Sequence, residues 1–197
     1  MTGTRGRSGW RLVDIVVAAA VSAALGVALV AWNATYLAAT PLFAAFPAAQ
    51  AVLYGVYLLP GVLVALVIRR PGAALFAGIV SAAVSTLVGG SPWGADTLLS
   101  GAIQGGGAEL AFAIFLYRRW TLPVAVLGAA LAGIGAAIHD LVIYFPDVGP
   151  EFSAAFVTAT VLSGILIAGV GGWMLMRALV AAGVLGDFAA GREQREV

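Results

Sequence analysis

The sequence has no cysteine, no lysine and a single histidine, and charged side chains make up only 10% of its 197 residues. Without cysteine there is no disulfide framework and no thiolate site for zinc or iron–sulfur clusters. One histidine leaves too few donors for a transition-metal centre, so no metal is expected. A soluble domain carries charge on about a quarter of its residues, far more than this chain does. No GxxxxGK[ST] stretch occurs, which excludes nucleotide binding through a P-loop. A serine hydrolase would need a paired nucleophile and base, and the best pair, Ser100 and His139, has no oxyanion motif beside it. The expectation is a chain that is not an enzyme and needs no cofactor. A net charge of +1 gives no reason to expect nucleic acid as a partner.

What is present is apolar. Hydrophobic residues make up 62% of the chain, and the mean hydropathy is +1.04. This is the composition of an all-α integral membrane protein, with a length suited to one membrane domain over residues 1–197. Apolar runs long enough to cross a hydrocarbon core predict six transmembrane helices, at about 12–32, 48–68, 72–88, 98–117, 121–143 and 153–176. The polar segment from about 178 to 197 reads as a cytoplasmic tail.

The arginines orient this six-helix bundle. Arg5, Arg7 and Arg11 precede the first span, Arg69 and Arg70 follow the second, and Arg118 and Arg119 follow the fourth. Arg177, Arg192 and Arg195 come at or after the end of the sixth. Six crossings put all of them on one side, and the positive-inside rule makes that side, with both termini, cytoplasmic. Asp96, Asp147 and Glu151 fall on the other side. The early arginines and apolar run also resemble a signal peptide, but removing it would spoil the charge pattern, so an uncleaved first helix is expected. The chain is expected in a cell membrane as a multi-pass protein in contact with the lipid bilayer.

Polar residues inside the spans are the candidates for chemistry. Glu109, in "QGGGAE", lies about 16 Å along the fourth span at ~1.5 Å per residue. A carboxylate there costs at least ~2.5–3.5 kcal/mol, which makes function the default reading; the alternative is a protonated side chain bonded to a neighbouring helix. Gly105, Gly106 and Gly107 either admit a ligand to the backbone or let helices pack closely. Trp32, Asn33, Tyr36, Gln50, Tyr54, Tyr57, Trp93, Asp96, Gln104, His139, Asp140 and Tyr144 gather toward the outer helix ends. Some of the aromatic residues suit an interfacial belt, but Gln104, Glu109, His139 and Asp140 do not, and they predict an outward-opening polar cavity. On the first span Ala19/Ala23 and Ala20/Ala24 repeat at four-residue spacing, as does Ser22/Gly26. Such faces pack closely, either within the bundle or against a separate membrane subunit.

The blocks "RRPGAALFAGIVSAAVSTLVGGSPWG" and "GAIQGGGAELAFAIFLYRRW", in that order, resemble the YkoE family. These are substrate-binding S components of energy-coupling-factor (ECF) transporters for hydroxymethylpyrimidine and thiamine. The resemblance runs from about Arg69 to Trp120 and implies a bundle that binds ligand near its outer face, with "NATYLAATPLFAAFP" as a lid. It implies that Ala19, Ala20, Ala23 and Ala24 dock a transmembrane coupling subunit, which is joined in turn to cytoplasmic ATPases. The ligand would be thiamine or its pyrimidine precursor. An aminopyrimidine offers a ring nitrogen and an amine to a carboxylate, a charge-assisted pair, which makes Glu109, with Gln104 beside it, the expected partner. Trp93, Trp32, Tyr36 or Tyr54 would stack on the ring, with cation–π attraction to a thiazolium. His139 and Asp140 would hold the hydroxyalkyl end. The competing function is a stand-alone proton-coupled carrier using Glu109 and His139 as a relay.

Overall fold

A computed structural model describes residues 9–183, and every regular element among them is helical. Helix α1 spans Leu12–Ala39, followed by two 3-10 segments, Thr40–Phe43 and Pro47–Leu53. Helix α2 is Gly55–Ile68, α3 is Ala73–Gly89, α4 is Asp96–Ile114 and α5 is Leu122–Ile143. The last helical run comprises α6 (Pro150–Ser163), a π-helical stretch (Gly164–Gly171) and α7 (Gly172–Ala181). Among the described residues, four runs are long and apolar enough to cross a membrane: Leu12–Phe43, Pro47–Ile68, Leu122–Ile143 and Pro150–Ala181.

Helix α2 is the centre of the bundle. It is apolar on all sides, and every residue from Pro60 to Ile68 is buried, as expected for a helix surrounded by others. It packs on α1, α3, α4, α5 and the last helical run. The strongest pairings around it are α4 with α5, α3 with α4, and α1 with α3. Small residues make the α3–α4–α5 layer possible. A Cβ on Gly78 would lie 2.3 Å from the Gly101 carbonyl oxygen, and one on Gly105 would lie 2.7 Å from that of Ala74. A Cβ on Gly107 would meet Ala132 Cα at 2.7 Å, whereas one on Gly106 would meet nothing. Two of the three consecutive glycines therefore serve close packing.

Arg11, Arg70 and the turn from α2 into α3 define what we call the arginine end; Asp96 and Tyr144 lie at the opposite, acidic end. At the arginine end α2 stops at Arg69 in a left-handed conformation (φ 54°), and Gly72 (φ 86°) turns the chain into α3. This turn is held from α1. The Trp10 indole donates to the Pro71 carbonyl at 2.9 Å, and Arg70 pairs with the buried Asp14, which also holds Arg11.

Several helix ends differ from the expected spans. Helix α1 continues to Ala39, so "NATY" is helical and not loop, and Asn33 is buried with its amide donating to Ser85 Oγ at 3.2 Å. Helix α4 stops at Ile114, because Leu116 and Tyr117 take positive φ. The last run starts at Pro150 and reaches Ala181. Residues 184–197, most of the expected tail, lie outside the described residues, as do Arg5, Arg7, Arg192 and Arg195. On α1, Ser22 and Gly26 are buried, the latter against α3, where a Cβ would fall 2.7 Å from the Ser81 carbonyl oxygen. Ala20 and Ala24 are exposed, and Ala19 and Ala23 are half-buried.

Candidate functional site

At the acidic end, α1, the Pro47–Leu53 segment, α2, α3, α4 and α5 enclose a cavity of about 250 Å³. Its walls are of three kinds. Tyr36, Tyr54, Tyr57 and Trp93 form an aromatic box with edge-on contacts: ring centroids are 5.8 Å apart for Tyr36–Trp93, 6.0 Å for Tyr57–Trp93 and 5.5 Å for Tyr54–Tyr57. Asn33, Gln50, Ser81, Ser85, Ser100 and Gln104 supply neutral hydrogen-bonding groups. Asp96 and Asp140 supply carboxylates.

Local structure explains why these side chains converge. Asn33 and Tyr36 are three apart on α1, and Tyr54 and Tyr57 are three apart across the start of α2, so each pair shares a face. Ser81 and Ser85 repeat at four residues on α3, as do Ser100 and Gln104 on α4, where the Gln104 amide donates to Ser100 Oγ at 2.7 Å. Gln50 is fixed by donating to the Tyr36 carbonyl (2.8 Å) and Thr40 Oγ1 (3.0 Å). Ser163 fixes the entry to α2 by accepting from the Gly55 amide at 2.9 Å and donating to the Val52 carbonyl. Among the described residues, the Tyr57 hydroxyl and Ser22 Oγ are buried without a hydrogen-bond partner. A wall tyrosine with unspent hydrogen-bonding capacity suits a site built for a polar guest.

The two carboxylates belong to one network. His139 Nδ1 lies 3.0 Å from Asp140 Oδ1, and its Nε2 lies 3.2 Å from Asp96 Oδ1. Tyr144, just past the end of α5, donates its hydroxyl to Asp96 Oδ2. Burial and the neighbouring Asp96 push the Tyr144 pKa up, so it remains a donor.

The expected site residues therefore divide. Gln104, Trp93, Tyr36, Tyr54 and Asp140 line one cavity. His139 stands behind it, holding two of its acids. Trp32 is not in the wall: its indole donates to the Leu53 carbonyl at 3.2 Å and pins α1 to the following segment.

Glu109 is the main correction. It lies at the arginine end, where its carboxylate accepts from the backbone amides of Gly72 (2.5 Å), Ala74 (2.8 Å) and Leu75 (3.4 Å). These are the free donors that open α3. A helix start leaves such N–H groups unsatisfied and carries partial positive charge. A neighbouring helix thus supplies a cap that α3 lacks in its own sequence, since Gly72 has no side chain to do it. Burial and Glu109 nearby push the Tyr117 pKa up to about 12. The relay of the carrier reading also fails geometrically, because Glu109 and His139 sit at opposite ends of the bundle. Asp96 is the acid that the residue-level choice passed over; its position at the mouth of α4, among outer-end polar residues, was the available signal.

A helical bundle with apolar spanning runs and a polar–aromatic cavity at one end is that of a multi-pass membrane protein. The family model described as "ABC-type cobalt transport system, permease component" matches residues 13–135, and the chain belongs to that family. It is 29% identical over 188 residues to "Putative HMP/thiamine permease protein YkoE" of Bacillus subtilis (strain 168), covering 95% of this chain and 93% of the relative. It superposes with a TM-score of 0.90 on a solved structure titled "Crystal structure of an S-component of ECF transporter", at 28% identity, covering 95% of this chain and 94% of the other. Both findings bear out the YkoE-like resemblance read from the two sequence blocks. The class is that of transporter S components, not of enzymes.

Proposed function

We propose that the chain captures hydroxymethylpyrimidine or thiamine from outside a bacterial plasma membrane, as the binding subunit of an ATP-driven importer. The observation that carries this reading is the cavity itself, in which four aromatic rings face two carboxylates within about 250 Å³. That volume lies just below the usual range of ligand pockets (~300–1,000 Å³) and suits a ligand of one or two rings rather than a nucleotide. Asp140 or Asp96 accepts from the exocyclic amine of the aminopyrimidine, and from its ring nitrogen when that nitrogen is protonated. Trp93, Tyr36 and Tyr54 pack on the ring planes, and Gln104 and Asn33 orient the polar edge. Six crossings with both termini cytoplasmic put the acidic end outside, where the segment from Thr40 to Pro47, past the end of α1, acts as a lid over the cavity.

The exposed Ala20 and Ala24, flanked by Ala19 and Ala23, are the surface for a transmembrane coupling subunit, with cytoplasmic ATPases bound to that subunit. Small side chains allow two helices to approach closely in a bilayer. The test is calorimetric titration of the purified full-length chain with thiamine and with hydroxymethylpyrimidine. One site per chain and micromolar or tighter affinity for one of them is expected; no saturable heat with either overturns the reading.

A further inference from the structure

Two neighbouring helices lose their regular hydrogen bonding at the same level. Pro60, inside α2, has no N–H to give the Val56 carbonyl, which removes one rung of that helix. Beside it the last run turns π-helical for eight residues, Gly164–Gly171. Such turns are rare, occur mostly singly and are frequent at functional sites. Leu58 and Leu59 bring the two irregularities together. A Cβ on Gly164 would lie 2.7 Å from Leu58 Cδ1, and one on Gly172 would lie 3.1 Å from Leu59 Cδ1. Gly164, Gly169 and Gly171 leave the π stretch easy to deform, since glycine holds a helix less firmly than alanine.

On the acidic-end side of this level, one wall of the cavity is fastened to α6. Ser163 accepts from the Gly55 amide at 2.9 Å and donates to the Val52 carbonyl. Gly55 approaches so closely that a Cβ there would fall 2.3 Å from the Ser163 carbonyl oxygen. Phe156 of α6 meets the Tyr54 ring edge-on at 6.5 Å. The hydroxyls of Ser153 and Thr160 bond back along their own chain. Among the described residues, the side-chain ties of α6 to other elements therefore run to this wall and not to α5. The remaining walls form a second body. Asn33 and Ser85 join α1 to α3, and Glu109 and the Gly78–Gly101 approach join α3 to α4. Across the line between the two bodies run the Trp32 bond to the Leu53 carbonyl, the Gln50 bonds to the Tyr36 carbonyl and Thr40 Oγ1, and the Tyr54 hydroxyl facing Asp140.

Resting on the reading of this cavity as the ligand site, we propose that α6, the Pro47–Leu53 segment and the first turn of α2 swing as one body, pivoting on the π stretch and Pro60. The swing parts this body from α1 and lets the solute in and out. Ser163 is the positioning residue that makes the wall follow α6. The Trp32 and Gln50 bonds hold the closed arrangement, so each raises the barrier to entry and to exit alike. Hinges of this kind absorb a change of backbone angles in a few residues while the packed bodies on either side stay intact.

The absence of cysteine allows two spin labels to be placed at will. In the full-length chain, Ala34→Cys with Ala154→Cys spans the exposed faces of α1 and α6 and reads the swing. Ala34→Cys with Val142→Cys, exposed on α1 and α5, stays within the second body. The first pair should show two distances without solute and only the shorter one when saturated with thiamine or hydroxymethylpyrimidine. The second pair should show one distance throughout. Trp32→Phe, outside the cavity wall, removes one bond between the bodies, and thiamine association and dissociation should both become about fivefold faster with affinity within about twofold. A merely structural loss would change affinity instead. Pro60→Ala restores the missing amide and should slow both rates. One unchanged distance for the first pair with and without bound solute overturns the pivot, as do Trp32→Phe rates equal to those of the unaltered chain. Binding of neither solute to the unaltered chain overturns instead the ligand reading, and the two distances of the solute-free chain test the pivot without it.

Discussion

Glu109 Oε1 accepts a hydrogen bond from the Gly72 amide, joining the middle of one helix to the first turn of another. The carboxylate thereby offsets the positive end of α3 and satisfies donors that the sequence of α3 leaves open. Glu109→Gln keeps one acceptor but loses the charge, and should lower stability by roughly 1–2 kcal/mol. Thermal unfolding in detergent checks this. Thiamine affinity should stay within about twofold, since the side chain is remote from the cavity.

Asp140 predicts the opposite pattern. Asp140→Asn removes the charge-assisted partner and breaks the bond pattern of His139, so cation binding should weaken by about 1.5–3 kcal/mol. Tryptophan fluorescence titration reads that loss, with little change expected in unfolding temperature.

Trp93 shares edge contacts with Tyr36 and Tyr57, so it both shapes the box and presents a face to a guest. Trp93→Ala should weaken binding of a cationic ring by ~0.5–2 kcal/mol and remove most of the ligand-dependent fluorescence change. Trp32→Phe, which loses only the bond to the Leu53 carbonyl, should retain that change.

Gly78 tests the packing that brings α3 and α4 together. An added methyl would sit 2.3 Å from the Gly101 carbonyl oxygen, a backbone atom that cannot move aside. Gly78→Ala should therefore destabilise the chain by ~1–3 kcal/mol and weaken ligand binding, because both glycines line the cavity. Gly106→Ala, which meets nothing, is the control and should be neutral or slightly stabilising.

Much of this was legible in the sequence, for identifiable reasons. Hydropathy places helices well because a membrane chain must satisfy its backbone internally over a set length. The gathering of Tyr36, Tyr54, Trp93, Gln104 and Asp140 followed from their depth once the crossings were ordered. Glu109 was misjudged because depth along one helix says nothing about what the neighbouring helix offers at that level. The Arg69–Gly72 turn sets the start of α3 within reach of it, and only three dimensions show three free amides there. Trp32 differs for a similar reason, since it lies on the same stretch of α1 as the wall residues Asn33 and Tyr36 but on another face, bonded to the Leu53 carbonyl. Asp96 was grouped with His139 and Tyr144 at one end of the bundle, but its partnership with His139 joins residues 43 apart in sequence.

The most direct measurement is a structure of the chain solved with thiamine or hydroxymethylpyrimidine bound. The aminopyrimidine should lie among Tyr36, Tyr54 and Trp93, with a nitrogen within hydrogen-bond distance of Asp140 or Asp96. Ligand found instead against Glu109, or in a second, mostly apolar pocket lined by Val52, Ala155, Ala159 and Leu162, would contradict the account.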